Sequence, residues 1–373
     1  MISRAYDLLA EAKAGKVTVL YGPRRVGKTT LLKDFVRRFP GKTRLDTGED
    51  LRVAEVLSSR DMDKIAEYAA GFDCVCVDEA QHVPNIGLGL KMLIDSRPDL
   101  TIVATGSSSF DLAQKVGEPL VGRKKTLTLY PLSTAELRAS KNAFDMARGL
   151  HRLLIYGGYP DSVLAPSDAA RREFLSELVG STLLKDILSL ERVKSPTMLL
   201  DLLKLLAFQM GQLVSITELA TALRINQKTV ERYLDLLEKS FIIVRVHGYS
   251  RNLRKEITKK SKYYFLDNGV RNALIARFQA PGDRDDMGAL WENFVVSERI
   301  KKREYERIYA GAYFWRTHDG QEVDLVEERD GATFGYECKW GTASKAKEPK
   351  DWHAAAAKTS WQTVTLENYS KFI

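Results

Sequence analysis

The run Gly22-Pro23-Arg24-Arg25-Val26-Gly27-Lys28-Thr29 fits the pattern G-x-x-x-x-G-K-[ST] and lies between an apolar run at 17–21 and a helical pattern that follows it. No other feature of the chain restricts its fold as tightly. Such a loop works at the C-terminal end of a buried strand that feeds a helix. Its glycines let the backbone bend so that successive N–H groups surround phosphate oxygens, and the helix N-terminus adds a favourable dipole. Gly22, Pro23, Arg24, Arg25, Val26, Gly27, Lys28, Thr29 and Thr30 are therefore expected to cradle a nucleotide. Lys28 is expected at the β- and γ-phosphates and the Thr29 hydroxyl on Mg²⁺, which makes ATP and Mg²⁺ the expected cofactors.

Around the loop, short apolar runs near 17–21, 43–46, 73–78, 101–105 and 126–130 alternate with helical patterns, which predicts an α/β unit with a largely parallel sheet. The run Cys74-Val75-Cys76-Val77-Asp78-Glu79 is an apolar strand ending in two acids, at the end of the strand where such sheets bind ligands. Asp78 is expected to hold the metal through water, and Glu79 to orient and deprotonate the attacking water. The neighbouring run 101–105 leads into Gly106-Ser107-Ser108-Ser109. Thr105 and Ser107 are candidates to reach the γ-phosphate or its water; the competing reading is that the serines merely cap the next helix.

At 373 residues the chain is too long for one core of ordinary size, so two or three folded units are expected. Hydrophobic residues make up 44% and charged residues 28%, with no apolar stretch of membrane-spanning length, which excludes the membrane and disordered classes. Residues 1–16 lack a secretory pattern, and Cys74, Cys76 and Cys338 form no disulfide or zinc framework, so a cytoplasmic protein with buried thiols is expected. The five histidines form no ligand pair or nucleophile triad, and the tryptophans, all at 291 or later, read as core of the last unit.

Beyond Ser133 and Glu136, spaced as a capping box, helical periodicity dominates 146–156, 171–189 and 196–210, interrupted at Gly157-Gly158-Tyr159-Pro160. Ser215 and Asn226 then open two short helices, and runs at 241–246 and 263–266 read as paired strands around a basic loop, the pattern of a winged helix. Gln227, Lys228, Thr229 and Arg232 would form the exposed reading face of the second helix. Seven basic residues between Arg245 and Lys262, among them Arg254, Lys255, Lys259 and Lys260, oppose the single acid Glu256, a net of +6. With a net charge of +8 for the chain, DNA is an expected partner, against a solvated hairpin or a subunit contact.

The last ninety residues predict a helix near 288–302 followed by strands near 312–316, 322–327, 333–339 and 362–366. Glu292, Asp324, Glu337 and Lys339 follow the order of the PD-(D/E)XK nuclease core, in which carboxylates hold Mg²⁺ and a lysine stabilises developing charge. A nuclease-like fold without turnover, or a lattice of surface ion pairs, is the alternative.

The phosphate loop, Val77-Asp78-Glu79-Ala80-Gln81, Ala104-Thr105-Gly106-Ser107-Ser108, Gly122-Arg123 and Pro131-Leu132-Ser133 together resemble the archaeal-type AAA+ ATPases. Gly157-Gly158-Tyr159-Pro160, Tyr264-Phe265-Leu266-Asp267-Asn268-Gly269 and the C-terminal segment resemble the uncharacterised domain that commonly follows that module. The resemblance implies a nucleotide-dependent homo-oligomer in which an arginine of one subunit completes a neighbour's site. Arg123 matches the Gly-Arg position, with a surface cation beside Lys124 and Lys125 as the competing reading; no clear second sensor arginine is present. The expected architecture is a P-loop AAA+ core at 1–140, a helical extension at 141–194, a winged helix at 195–284 and a restriction-endonuclease-like α/β domain at 285–373. The expected function is ATP binding and hydrolysis coupled to DNA. The alternatives are an ATP-regulated metal-dependent nuclease, a nucleotide-gated protein-interaction switch and a regulator of one operator.

Overall fold

The computed structural model describes residues 2–107, 120–139, 143–182, 195–250, 260–341 and 346–373. Strands β1 (Val17–Tyr21), β2 (Thr43–Thr47), β3 (Cys74–Asp78), β4 (Thr101–Gly106) and β5 (Lys124–Thr128) form a parallel sheet in the order β2-β3-β4-β1-β5. Helix α1 (Leu8–Glu11) precedes the first strand, and α2 (Lys28–Arg38), α3 (Leu51–Ser58), α4 (Met62–Tyr68) and α5 (Ile86–Ser96) lie between strands. Val17, Val19, Val75, Val77, Ile102 and Ala104 pack with α3, α4 and α5, while Leu20, Cys74, Cys76 and Val103 pack with Leu32 and Phe35 of α2. Because both faces are covered, the inner strands read as continuous apolar runs rather than alternating ones. The fifth strand is two residues earlier than the expected 126–130. Main-chain pairing sets its register, from Val17 opposite Lys124 to Tyr21 opposite Thr128, whereas the apolar pair Leu127 and Leu129 straddles its end.

Helix α6 (Thr134–Arg138) opens with Ser133 and Glu136 capping each other's backbone amides. The helical block continues with α7 (Ala143–Tyr156), α8 (Pro160–Leu164) and α9 (Asp168–Glu177), which passes into a π turn over Leu178–Thr182. The helix expected over 171–189 thus starts earlier, at the Ser167 cap, and loses α geometry after Glu177. The rest of that expectation falls outside the described residues.

Helices α10 (Pro196–Phe208), α11 (Ile216–Leu223) and α12 (Gln227–Lys239) follow, with Ser215 and Asn226 as the side-chain caps of the last two. Val230, Leu234 and Leu237 are buried, as the 3.6-residue period requires. Strands β6 (Leu213–Val214), β7 (Ile243–Gly248) and β8 (Ser261–Phe265) pack beside them, and α13 (Asn268–Leu274) leads to the long α14 (Met287–Tyr305). The chain ends in β9 (Gly311–Arg316), β10 (Glu322–Arg329), β11 (Ala332–Cys338) and β12 (Thr359–Val364).

These strands do not form a sheet of their own. β7 runs parallel to β9, with His247 opposite Tyr313 and Gly248 opposite Phe314, so one seven-stranded sheet runs β12-β11-β10-β9-β7-β8-β6 across the division at 284/285. A single apolar cluster likewise extends from Leu20 and Phe35 through Tyr233 to Trp291 and Tyr369.

The break at 157–160 sits against α13. Gly157 has φ +69, and a Cβ there would fall 1.9 Å from Asp267 Oδ1. The Asp267 carboxylate accepts the N–H of Gly158 at 2.7 Å and of Val270 at 3.1 Å. Asn268 and Asn272 donate to the last-turn carbonyls of Leu154 and Ile155 in α7, and Ser162 Oγ donates to that of Tyr156, which closes that helix end.

Candidate functional site

The phosphate loop leaves β1 through Gly22, whose φ of +150 and position against the Leu129 carbonyl, 2.0 Å from where a Cβ would lie, admit no side chain. Gly27, at φ +96, caps α2 without a side-chain hydrogen bond, so the first-turn amides of that helix point toward the loop. The buried Lys28 ammonium donates to the carbonyls of Gly22 and Pro23, both at 2.9 Å, and so folds the loop around itself.

The start of α2 and the ends of β3 and β4 meet beside it. Thr29 Oγ1 donates to Asp78 Oδ2 at 2.7 Å, and the buried Thr105 hydroxyl donates to the other oxygen of Asp78 while accepting the Glu79 N–H at 3.1 Å. Thr105 therefore ties the end of β4 to both acids at the end of β3. Glu79 is held at φ +49, a left-handed conformation that costs a non-glycine residue about 1–3 kcal/mol and persists only where surrounding contacts impose it. Gln81 Nε2 supplies one, donating to the Glu79 carboxylate and lying 3.3 Å from Ser107 Oγ. Of the two hydroxyls weighed from sequence, Thr105 touches the acids and Ser107 reaches Glu79 only through Gln81. The Thr29 hydroxyl and Asp78 carboxylate, hard oxygen donors beside a phosphate cradle, fit Mg²⁺, which takes one or two carboxylates together with phosphate oxygens and water.

Arg4 completes the arrangement and carries no local sequence signal. Its guanidinium donates to the Val26 carbonyl inside the loop, to the Tyr130 carbonyl at 2.7 Å and to Glu136 Oε1 at 2.8 Å. A cleft of about 550 Å³ lies alongside, lined by Ile2, Arg4, Val26, Thr30, Leu132 and Leu164 among others. Arg25 turns away to Glu177 of α9 at 2.8 Å and lies over the Phe174 ring.

Arg123 stands elsewhere. It ion-pairs with Asp95, and its carbonyl accepts the Val17 N–H at 2.9 Å, at the start of β1. A five-residue strand separates it from the loop, on the order of 15 Å at about 3.3 Å per residue. It is not part of this chain's own site.

On α12, Gln227, Lys228 and Arg232 are exposed, and the half-buried Thr229 hydroxyl is taken up by the Asn226 cap. Glu231 and Asp235 share the exposed side of that helix, so its surface is mixed in sign. Lys260 is exposed, whereas Arg254, Lys255 and Lys259 lie outside the described residues.

Lys262, counted in the basic run, is buried. Its ammonium lies 3.2 Å from Glu292 Oε1, 2.5 Å from Glu322 Oε1 and 3.8 Å from Asp324 Oδ1. Tyr264 donates to Glu292 Oε1 at 2.6 Å, the Cys338 N–H donates to Asp324 Oδ2 at 2.8 Å, and Lys339 pairs with Glu337 at 2.7 Å. Burial, with Asp324 adding, pushes the Glu292 carboxyl up to about 7; burial also raises Asp324 and Glu337. Burial alone would lower the Lys262 ammonium, but the surrounding carboxylates outweigh it and hold it above its ordinary value. The fold thus brings the four expected residues to one place together with Glu322, which the two-residue alternation of the strand already sets beside Asp324, and adds Lys262 and Tyr264. Among the described residues no group of three or more His, Cys, Asp or Glu side chains is arranged to hold a metal ion.

Residues 14–138 match the AAA domain family, a nucleotide-binding ATPase module; residues 147–280 and 287–369 match two domains of unknown function, DUF8612 and DUF4143. An uncharacterized protein of Mycobacterium tuberculosis is 29% identical over 328 residues, covering 87% of this chain and 70% of its own length. An uncharacterized protein of Methanocaldococcus jannaschii is 24% identical over 383 residues, covering 97% and 83%. Among solved structures, the Thermotoga maritima RuvB Holliday junction branch migration motor aligns at 15% identity with a TM-score of 0.30, over 62% of this chain and 82% of that one. Drosophila ORC bound to AT-rich DNA and Cdc6 aligns at 12% identity with a TM-score of 0.26, over 73% and 88%. No described helix is long and apolar enough to cross a membrane.

Proposed function

We propose that this chain, whose residues 14–138 match the AAA domain, binds and hydrolyses ATP and couples the cycle to DNA held by its helix-turn-helix unit. The observation that carries the reading is the meeting of Thr29, at the start of α2, with Asp78, Glu79 and Thr105 at the ends of β3 and β4 beside the phosphate loop. In this reading the purine lies in the cleft between Val26, Thr30, Leu132 and Leu164, and the amides of 22–29 take the phosphates. Lys28 exchanges the carbonyls of Gly22 and Pro23 for phosphate oxygens, adding charge where the transition state develops it. Mg²⁺ held by Thr29 and Asp78 would offset charge on the phosphate oxygens. Glu79, steadied by Gln81, orients water and accepts its proton.

The chain divides functionally into the core at 1–140, the helical block at 141–194, a winged helix at 195–284 and the last α/β unit at 285–373. Arg123, at the opposite end of the sheet from the loop, would serve a neighbouring subunit, which makes the active form a homo-oligomer. Lys228 and Arg232 on α12, with Arg254, Lys255, Lys259 and Lys260 of the basic loop, contact DNA phosphates. A cytoplasmic location fits an ATP-dependent protein of this kind.

The experiment is ATP hydrolysis with and without single- and double-stranded DNA. Turnover is expected, stimulated by DNA, and abolished by Lys28→Ala in a folded chain. Unchanged hydrolysis by that variant defeats the site assignment. Replacing Arg254, Lys255, Lys259 and Lys260 by Ala should reduce the log–log salt slope of binding by up to about 3.6, at roughly 0.9 for each phosphate no longer neutralised. An unaltered slope removes the basic loop from the interface.

A further inference from the structure

The carboxylates at the junction of β8, β10 and α14 form a cation site whose cation belongs to the chain. We infer that the Lys262 ammonium permanently occupies the position a divalent ion would take among Glu292, Glu322 and Asp324, so that the last unit neither binds Mg²⁺ there nor cuts nucleic acid by a metal-dependent route.

Four observations carry this. First, one oxygen of each acid is already in use. Glu292 Oε1 accepts from both Tyr264 and Lys262, Glu322 Oε1 accepts from Lys262, and Asp324 Oδ2 accepts the Cys338 amide. An ion of Mg²⁺ size needs near-octahedral oxygens at about 2.0–2.1 Å and keeps several waters, and so competes with the bonds these oxygens already make. Second, the ammonium is not on a mobile arm. Lys262 sits mid-sheet, paired with Val246 of β7 on one side and Leu213 of β6 on the other, and its side chain is 2% exposed.

Third, the site is roofed. A Cβ added to Gly211, in the turn before β6, would lie 3.1 Å from Glu292 Oε2, and the Glu292 and Asp324 side chains are only 15% and 11% exposed. Fourth, most of the charge is met without a metal: four carboxylates, Glu292, Glu322, Asp324 and Glu337, face three cations, with Lys262 among the first three, Lys339 on Glu337 and Arg316 3.4 Å from Glu322. The ammonium comes from β8 and the acids from α14 and β10, so the cluster fastens the helix-turn-helix unit to the last unit and breaking it from one side leaves buried charge unpaired.

The test is Mn²⁺ binding to the full nucleotide-free chain, followed by electron paramagnetic resonance, in four proteins: wild type, Asp324→Asn, Lys262→Met and Lys262→Met/Asp324→Asn. Wild type and Asp324→Asn should bind the same number of Mn²⁺ ions, and Lys262→Met should gain one per chain that the double variant loses. A Mn²⁺ site in wild type that Asp324→Asn abolishes, or Mn²⁺-dependent plasmid nicking that the same change abolishes, overturns the inference. So does a folded Lys262→Met chain that gains no ion. Should Lys262→Met fail to fold, the comparison of wild type with Asp324→Asn still decides, because it asks directly whether the native cluster takes a metal.

Discussion

Arg4→Ala removes the brace that ties the phosphate loop to the rest of the ATPase core, and the cost follows from its three contacts. The Arg4 and Glu136 side chains are 9% and 3% exposed, so their pair is screened little by water. Removing one partner of a buried pair costs about 3–5 kcal/mol, mostly because the remaining charge is left uncompensated. Here Glu136 keeps other donors, the N–H groups of Ala5 at 2.8 Å and Ser133 at 2.7 Å, and the Ser133 hydroxyl at 3.1 Å. That places the loss at the low end, about 3 kcal/mol, with the carbonyls of Val26 and Tyr130 also left without this donor. Urea unfolding of wild type, Arg4→Ala, Glu136→Gln and the double variant gives the coupling directly. A coupling near 2 kcal/mol is expected, within the range seen for contacting residues. Because the third contact is inside the loop, Arg4→Ala should also weaken ATP binding, whereas Glu136→Gln, which spares the Val26 contact, should weaken it less. A stability loss below about 1 kcal/mol, as for exposed pairs, or equal effects of both variants on ATP affinity would refute the reasoning.

Gly158→Ala sets a new Cβ 2.3 Å from the Leu132 carbonyl, a backbone atom that cannot turn aside, and strains the Leu132 N–H to Gly158 O bond of 2.7 Å. A loss of about 2–3 kcal/mol in urea unfolding is expected, against no loss for Gly288→Ala, where nothing lies within 4 Å; equal effects would sink the argument. Glu292 keeps its proton up to about 7 in the folded chain, against an ordinary value of 4.5. The folded state therefore binds the extra proton within that window and loses stability as pH rises through it. Glu292→Gln should flatten this part of the stability profile, and an unchanged slope would show that the carboxyl titrates normally.

How much of this could be read along the chain depends on the range of the forces involved. The loop at 22–29, the acids at 78 and 79 and the caps at Ser133, Ser215 and Asn226 were legible because a helix start, a strand end and a phosphate cradle are local structures with local residue requirements. Thr105 was visible as a candidate for the same reason, since parallel strands bring their C-terminal ends to one edge.

Arg4, Tyr264 and Lys262 were not legible, and Lys262 was misread as one more charge on a basic surface. Nothing at positions 260–264 distinguishes Lys260, which is exposed, from Lys262, which is 1% exposed two residues later. The difference arises because β7 joins β9 in a common sheet and carries β8 against acids 30 to 62 residues distant, Glu292, Glu322 and Asp324. Local propensity and motif therefore determined where a nucleotide would be held. Which charges face water and which neutralise one another was decided only by tertiary packing, because the energy of a charge depends on the dielectric and partners that distant segments supply.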